Sequence, residues 1–184
     1  MERLTQSEEC LKKAIQTLRS GGVIIFPTET VYGIGALATN EKAIQRIYEI
    51  KKRSSDKPLQ VLIADSKQVE TLASGISNKA RELMKKYWPG PLTLVFKAVS
   101  GGSVGIRMPK HDWLLKLIKE TGPLAASSAN LSGEPDPTSA QEVKIEADLL
   151  IDGGKCKLGE ASSVVDVSTD PPLILREGKL KGLV

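Results

Sequence analysis

Residues 21–33 read GGVIIFPTETVYG, and the order of features within them decides the fold. Val23 to Phe26 is a short, β-branched run bounded by Gly21-Gly22 and Pro27, the pattern of a buried strand, and the polar loop Pro27 to Gly33 follows it directly. Upstream, Thr5 and Glu8 have capping-box spacing, and Leu11, Ile15 and Leu18 recur at helical intervals until the two glycines break the pattern. A first helix therefore precedes a first buried strand. Downstream, Asn40 can N-cap a helix with Ala43, Ile44, Ile47 and Ile50 on one face, and the basic cluster from Lys51 sits at its C-terminal end, where cations suit the helix dipole.

Leu59–Ala64 is the next strand, and Ser66 and Ser77 each open a helix, the second ending near Trp88-Pro89-Gly90-Pro91. Strands are expected at Thr93–Lys97 and Val104–Met108, a helix at Trp113–Lys119, and a strand at Pro123–Ala126. Thr138 and Gln141 repeat the capping-box spacing. Short strands at Leu149–Ile151, Ser163–Val167 and Leu173–Leu175 close the chain. Strands and helices mix without strict βαβ alternation. The expected architecture is therefore an α/β (α+β) fold with a mixed sheet and flanking helices, not a doubly wound parallel sheet.

The 184 residues suit one domain, 1–184, with no internal repeat and no linker. Hydrophobic content of 40% and charged content of 26% are those of a globular chain. The opening residues are too polar for a secretory signal, and no apolar run approaches the ~20 residues of a membrane span. A cytoplasmic protein without membrane contact is expected. Cys10 and Cys156 stand far apart and His111 is the single histidine, too few ligands for a zinc site, so no metal-binding residues are assigned. The cysteines read as small buried hydrophobes or free thiols. The net charge of +4 is compatible with phosphate-bearing partners.

Four polar segments at strand ends are places where a site would be built. In PTETVYG, the hydroxyls of Thr28 and Thr30 and the Glu29 carboxylate could bind an amine and a carboxyl group; a Thr-capped turn is the plainer alternative. In KKRSSDKPL, Lys51 to Leu59, lysine point charges and the Arg53 fork suit a polyphosphate, against a merely solvated basic helix end. SSAN, Ser127 to Asn130, either lets a ligand approach the backbone or forms a hydroxyl-rich turn. DGGKCKLGEASSVVD, Asp152 to Asp166, contains neither GxxxxGK[ST] nor GxGxxG, so ordinary nucleotide loops are disfavoured. A hydrolytic triad would have to run through His111, which sits before a helix as a cap or a solvated side chain. Catalysis by positioning and charge neutralisation, as in nucleotidyl transfer, suits this inventory better.

In this order the segments resemble the YrdC/Sua5 family of threonylcarbamoyl-AMP synthases, from about Gly21 to Gly178. The family's KxR and SxN elements match Lys51-Lys52-Arg53 and Ser128-Ala129-Asn130; GPLTLVF from Gly90, VGIRMP from Val104, SSVVD and ILREG from Ile174 match further stretches. The resemblance implies a large, positively charged concave cavity where ATP and L-threonine meet. It implies threonine contacts from Thr30, Arg107 and Ser162. It implies ATP contacts from Lys51, Arg53, Lys57, Ser103, Ser128, Asn130, Thr138 and Arg176, with Lys51 and Arg53 as the catalytic pair.

The implied reaction condenses L-threonine, bicarbonate or CO2 and ATP, with Mg2+ carried by the nucleotide, into threonylcarbamoyl-AMP and pyrophosphate. The product would serve a downstream tRNA threonylcarbamoyl transferase machinery that makes N6-threonylcarbamoyladenosine in tRNAs reading ANN codons. A double-stranded RNA or tRNA-binding module without catalysis is the alternative, and tRNA binding could coexist with the enzyme. The chain departs from the family in three places. Some members have a histidine near Leu62, and Pro and Thr are common where Ser54 and Ser163 stand. Longer members also add a C-terminal domain.

Overall fold

The strand read from Val23 to Phe26 forms as Ile24–Phe26 (β2), all three residues buried, in the computed structural model, which describes residues 1–183. In chain order the other elements are β1 (Glu2–Thr5), α1 (Glu8–Arg19), β3 (Gly33–Leu37), α2 (Glu41–Lys51) and β4 (Gln60–Leu62). Next come a 3-10 turn (Ser66–Gln68), α3 (Val69–Leu72), β5 (Ala73–Ser74), α4 (Asn78–Tyr87), β6 (Leu92–Ala98) and β7 (Ser103–Arg107). The chain continues through α5 (Asp112–Thr121), β8 (Leu124–Ser128), β9 (Leu149–Asp152), β10 (Ser163–Asp166) and β11 (Leu173–Arg176).

One sheet holds all the strands in the order β1-β9-β2-β3-β8-β4-β7-β6-β10-β11, with β5 paired to β6. The β1–β9, β2–β9, β4–β7 and β6–β10 pairs are parallel and the rest antiparallel, so the sheet is mixed, as expected. Strand alternation sends Ile24 and Phe26 to one face, where α1 and α5 contribute Leu11, Leu18, Leu114 and Leu117 to the core. Ile25 and Ile34 point to the other face, where Ala43 and Ile47 of α2 cover them. A third cluster joins Leu83 of α4 to Leu94, Phe96 and Val165. Each such buried aliphatic side chain contributes ~1.5–3 kcal/mol. Among the described residues no helix is long and apolar enough to cross a membrane.

Several local expectations are corrected. The first helix is capped by Ser7, whose hydroxyl accepts from Cys10 N at 3.1 Å, not by Thr5. Thr5 is instead held in β1, whose pairing with β9 keeps residues 2–5 extended. The helix expected from Ser66 is a 3-10 turn and one α turn capped by Asp65, with Gln68 completing a reciprocal box. No helix follows Thr138, because its backbone N–H and hydroxyl both engage the Glu142 carboxylate in irregular chain. The strand β3 escapes the apolar-run reading because Gly33 and Gly35 dilute it. A Cβ on Gly33 would lie 2.9 Å from the Phe26 ring, and one on Gly35 3.0 Å from both that ring and Ala125 O, so neither position takes a side chain without a shift of its neighbours. The caps at Asn40 and Ser77 are as read, and His111 caps α5 through Nδ1. Both cysteines are free and buried.

Candidate functional site

Alternation along the central strands places Ala126 and Ser128 of β8, Gln60 of β4, Gly105 and Arg107 of β7, Thr93 and Val95 of β6 and Val164 of β10 on one face. The registers Gln60↔Ala126, Val95↔Gly105 and Thr93↔Val164 align them side by side. Leu62 and Leu124, the next pair along this face, already lie in the cluster with α1 and α5. Beyond them the face is open and floors a cavity of about 360 Å³, walled by Arg53, Ser103, Asp136, Ser162 and Arg176. A small recess of about 20 Å³ adjoins it, lined by Thr28, Thr30 and Leu62, with Gln60, Arg107 and Ser128 shared between the two.

Three arginines in this lining are anchored in the same way. Arg107 donates from Nε to Gly90 O (3.2 Å) and from Nη2 to Thr30 Oγ1 (3.0 Å), and Nη2 stands 2.8 Å from the Glu29 carboxylate. Arg176 donates from Nε and Nη2 to Ser162 O at 3.1 and 2.8 Å. Arg53 donates from Nε to Lys57 O (2.9 Å) and from Nη2 to Pro58 O (3.3 Å). In all three, Nη1 has no protein partner among the described residues, so each fixed fork keeps one donor pair to offer a guest. Burial lowers the Arg176 pKa; the charge of Asp136 opposes this, and those of Arg107 and Arg53 add to it. Asp136 is the carboxylate of the cavity lining.

Glu29 and Arg107 are both nearly inaccessible, at 6% and 3% exposed. Neither oxygen of Glu29 has a well-directed hydrogen bond, so ion pairing with Arg107 is what compensates its burial. Removing one member of such a pair typically costs ~3–5 kcal/mol. Across the floor runs a polar chain: Arg176 Nη2 donates to Ser162 Oγ (3.2 Å), Ser162 and Thr93 hydroxyls pair at 2.9 Å, and Thr93 donates to Gln60 Oε1 at 2.9 Å.

Of the residues expected at the site, Arg53, Ser103, Arg107, Ser128, Ser162 and Arg176 line the main cavity, and Thr30 lines the recess. Lys51, Lys57, Asn130 and Thr138 do not. Lys51 is the last residue of α2 rather than part of a loop, is 1% exposed, and gives its ammonium to Ser128 O, Asn130 O and Asn130 Oδ1. Burial, reinforced by the Arg53 charge, pushes its pKa down to about 8. Its place is thus beneath the SxN segment, which it ties to the helix.

Lys52 then takes the left-handed conformation (φ 48°), uncommon for a residue with a side chain, and this turn ends the helix just before Arg53. Asn130 donates to Glu134 O, Thr138 is engaged by Glu142, and the Lys57 side chain is exposed. Ser163 faces away from the cavity, holding Gly178 N and Leu180. Sequence reasoning missed Gln60, Thr93 and Asp136. For Gln60 and Thr93 the available signal was a polar residue inside an apolar strand, in LQVL and LTLVF; Asp136, between two prolines, carried none.

The fold and the cavity define an α/β protein whose open sheet face presents anchored arginines beside a network of hydroxyls. The family profile for Sua5, YciO and YrdC, described as "Telomere recombination", matches residues 16–178. The chain belongs to this family. It is 46% identical to the threonylcarbamoyl-AMP synthase of Pyrococcus abyssi over 179 residues, covering 89% of this chain and 52% of that protein. It is 44% identical to the Bacillus subtilis protein of the same name, covering 96% and 56%. The chain thus spans about half the length of these curated relatives. Among solved structures, P. abyssi Sua5 complexed with L-threonine superposes with a TM-score of 0.89 at 42% identity, over 96% of this chain and 57% of that one. Escherichia coli YciO shares the fold, with a TM-score of 0.82 at 24% identity over 96% and 94%.

Proposed function

We propose that this chain carries a threonylcarbamoyl-AMP synthase activity within a single domain, 1–184. The observation that carries the reading is the set of three arginines, each locked through two nitrogens and each left with a free Nη1, around a hydroxyl-bearing floor. Such donors need no reorganisation when charge develops on a reacting group. The names of the relatives at 46% and 44% identity, and the threonine bound by P. abyssi Sua5, favour catalysis over an RNA-binding module.

In this reading the amine of L-threonine becomes a carbamate, losing a proton when it adds to CO2 or releasing water when it condenses with bicarbonate. A carbamate oxygen then attacks the α-phosphorus of ATP, the bond from that phosphorus to the bridging oxygen breaks, and pyrophosphate leaves. Arg107, with Thr30 and Ser162 beside it, holds the amino acid. Arg53 and Arg176 neutralise the phosphates, with Ser103 and Ser128 along the wall. Lys51 and Asn130 act by holding the Ser128 segment in place, and Lys57 and Thr138 lie at the periphery. A divalent cation, taken as Mg2+, would be carried by the phosphates of ATP and would offset their charge. Asp136 is the side chain of the lining chemically suited to face it.

The product would pass to a transferase acting on tRNA in the cytoplasm. The test is incubation with L-threonine, bicarbonate and ATP, following pyrophosphate and the product mass together, with each substrate omitted in turn. Pyrophosphate release that does not depend on threonine would overturn the reading.

A further inference from the structure

Gln60 has been given no role by its relatives' names or by any motif, yet it stands where the main cavity and the recess meet and lines both. Its surroundings hold it firmly. Oε1 accepts from Thr93 Oγ1 at 2.9 Å, Thr93 pairs with Ser162 at 2.9 Å, and Ser162 accepts from Arg176 at 3.2 Å. Because a guanidinium only donates, the direction of the chain is set from the Arg176 end: the Ser162 hydroxyl donates to Thr93, and the Thr93 hydroxyl donates to Gln60 Oε1. Each hydroxyl proton is thereby used inside the protein, and the charged end polarises the bonds that follow.

What remains at the far end is the amide nitrogen of Gln60. It has no partner among the described residues, and it is not among the buried unpartnered atoms. Gly105 leaves the space beside it open, since a Cβ there would already lie 3.4 Å from Thr93 Cγ2 and 3.8 Å from Gln60 Cβ. The free Nη1 of Arg107 is on the adjacent strand, where Leu62 and Arg107 are register partners and Gln60 is one same-face step back along β4.

We propose that Gln60 is a specificity-determining residue whose amide N–H group donates to the carboxylate of the bound amino acid, sharing that carboxylate with Arg107 Nη1. A carboxylate has lone pairs enough for both donors, and a neutral donor beside a cationic one adds direction without adding charge. Leu62, also in the recess, supplies an apolar wall and no donor, so the polar contact on this strand falls to Gln60.

The inference rests on the threonine-using reading above, and its test separates the two. Calorimetric titrations of wild type, Gln60→Leu and Gln60→Glu are made with L-threonine and with L-threoninamide, whose carboxylate is replaced by a neutral amide. In wild type, threonine binds and threoninamide binds far more weakly. In Gln60→Leu the affinity for threonine falls roughly tenfold to a hundredfold, the range for a hydrogen bond to a charged group, while threoninamide changes by less than about threefold. Gln60→Glu keeps the acceptor for Thr93 and turns the donor into an oxyanion, so threonine binding falls further still. Melting temperatures are recorded for every variant; should Gln60→Leu fold poorly, the near-isosteric Gln60→Glu carries the test. Equal losses for both ligands in Gln60→Leu, or wild-type threonine affinity in Gln60→Glu, would overturn the proposal. Failure of the wild-type protein to bind threonine would instead overturn the functional reading, and this assignment with it.

Discussion

Replacing Gly178 by alanine perturbs the cavity from a position that does not itself line it. A Cβ on Gly178 would lie 2.3 Å from Ala161 O, 2.5 Å from the Ser162 carbonyl carbon and 2.6 Å from Ser162 O, all backbone atoms. Clearing even a 3.0 Å contact requires a separation of 3.0 − 2.3 = 0.7 Å between residues 161–162 and residue 178. Arg176 hangs from that same Ser162 carbonyl by two hydrogen bonds, so its guanidinium moves with it. A misplacement of ~1 Å at a reacting centre costs ~10²-fold, so turnover in the threonine-, bicarbonate- and ATP-dependent release of pyrophosphate should fall by roughly 30- to 100-fold. Overpacking costs ~1–3 kcal/mol, which at ~2–4 °C per kcal/mol for a chain of this size lowers the melting temperature by ~2–12 °C. Gly75→Ala is the control: its φ of +64° strains alanine too, but nothing lies within 4 Å, and activity should hold. Turnover of Gly178→Ala within about twofold of wild type, with an unchanged melting curve, would refute the claim that the tail is seated on Ser162.

Arg53→Ala should lower turnover strongly and leave melting nearly unchanged, because the half-buried guanidinium is tied only to two carbonyls of its own loop; wild-type rates would remove it from the reaction. Burial lowers the pKa of His111, which caps α5 through a neutral Nδ1 accepting from Leu114 N at 3.3 Å. The folded pKa lies below the unfolded value of ~6.5, so stability is present above that pH and drains away as pH falls beneath it. Melting curves across that range should show the slope in wild type and lose it in His111→Asn; identical slopes would count against the cap. Valine should be rejected by ~10⁴ relative to threonine, and serine by only ~10- to 200-fold, if a cavity hydroxyl such as Ser162 reads the threonine side chain. Valine turning over as well as serine would end that idea.

Much of the fold is written in local sequence. The strand at β2 and the caps at Asn40 and Ser77 followed from local pattern, because burial and capping are written in neighbouring residues. The partners of a strand are not. That β1 forms at all depends on β9, far along the chain, and the same remote pairing defeated the cap assigned to Thr5. The site divides similarly. Arg53, Arg107 and Arg176 could be picked out by charge and by family likeness. Lys51 carries the same charge, but the carbonyls of Ser128 and Asn130, brought over it by the fold, consume its ammonium. Gln60 and Thr93 stand inside two strands far apart in sequence, and only the sheet brings their side chains together.

The strand order also governs when the molecule can assemble. Glu2 of β1 and Ile24 of β2 both pair with Leu149, so the first strands made must wait for one of the last before that end of the sheet closes. At the opposite end, β6 waits for β10, and β10 brings Ser162 and Arg176 to the cavity. Pairings this distant carry a large loop-closure cost before any return, and chains dominated by them fold slowly. On a ribosome the helices α1, α2 and α4 can form early, yet the arginine cavity exists only once residues near 176 have emerged. A nascent chain halted after β8 would expose unpaired strand edges and lack the arginine cavity, leaving it a target for chaperones rather than a slow version of the finished protein.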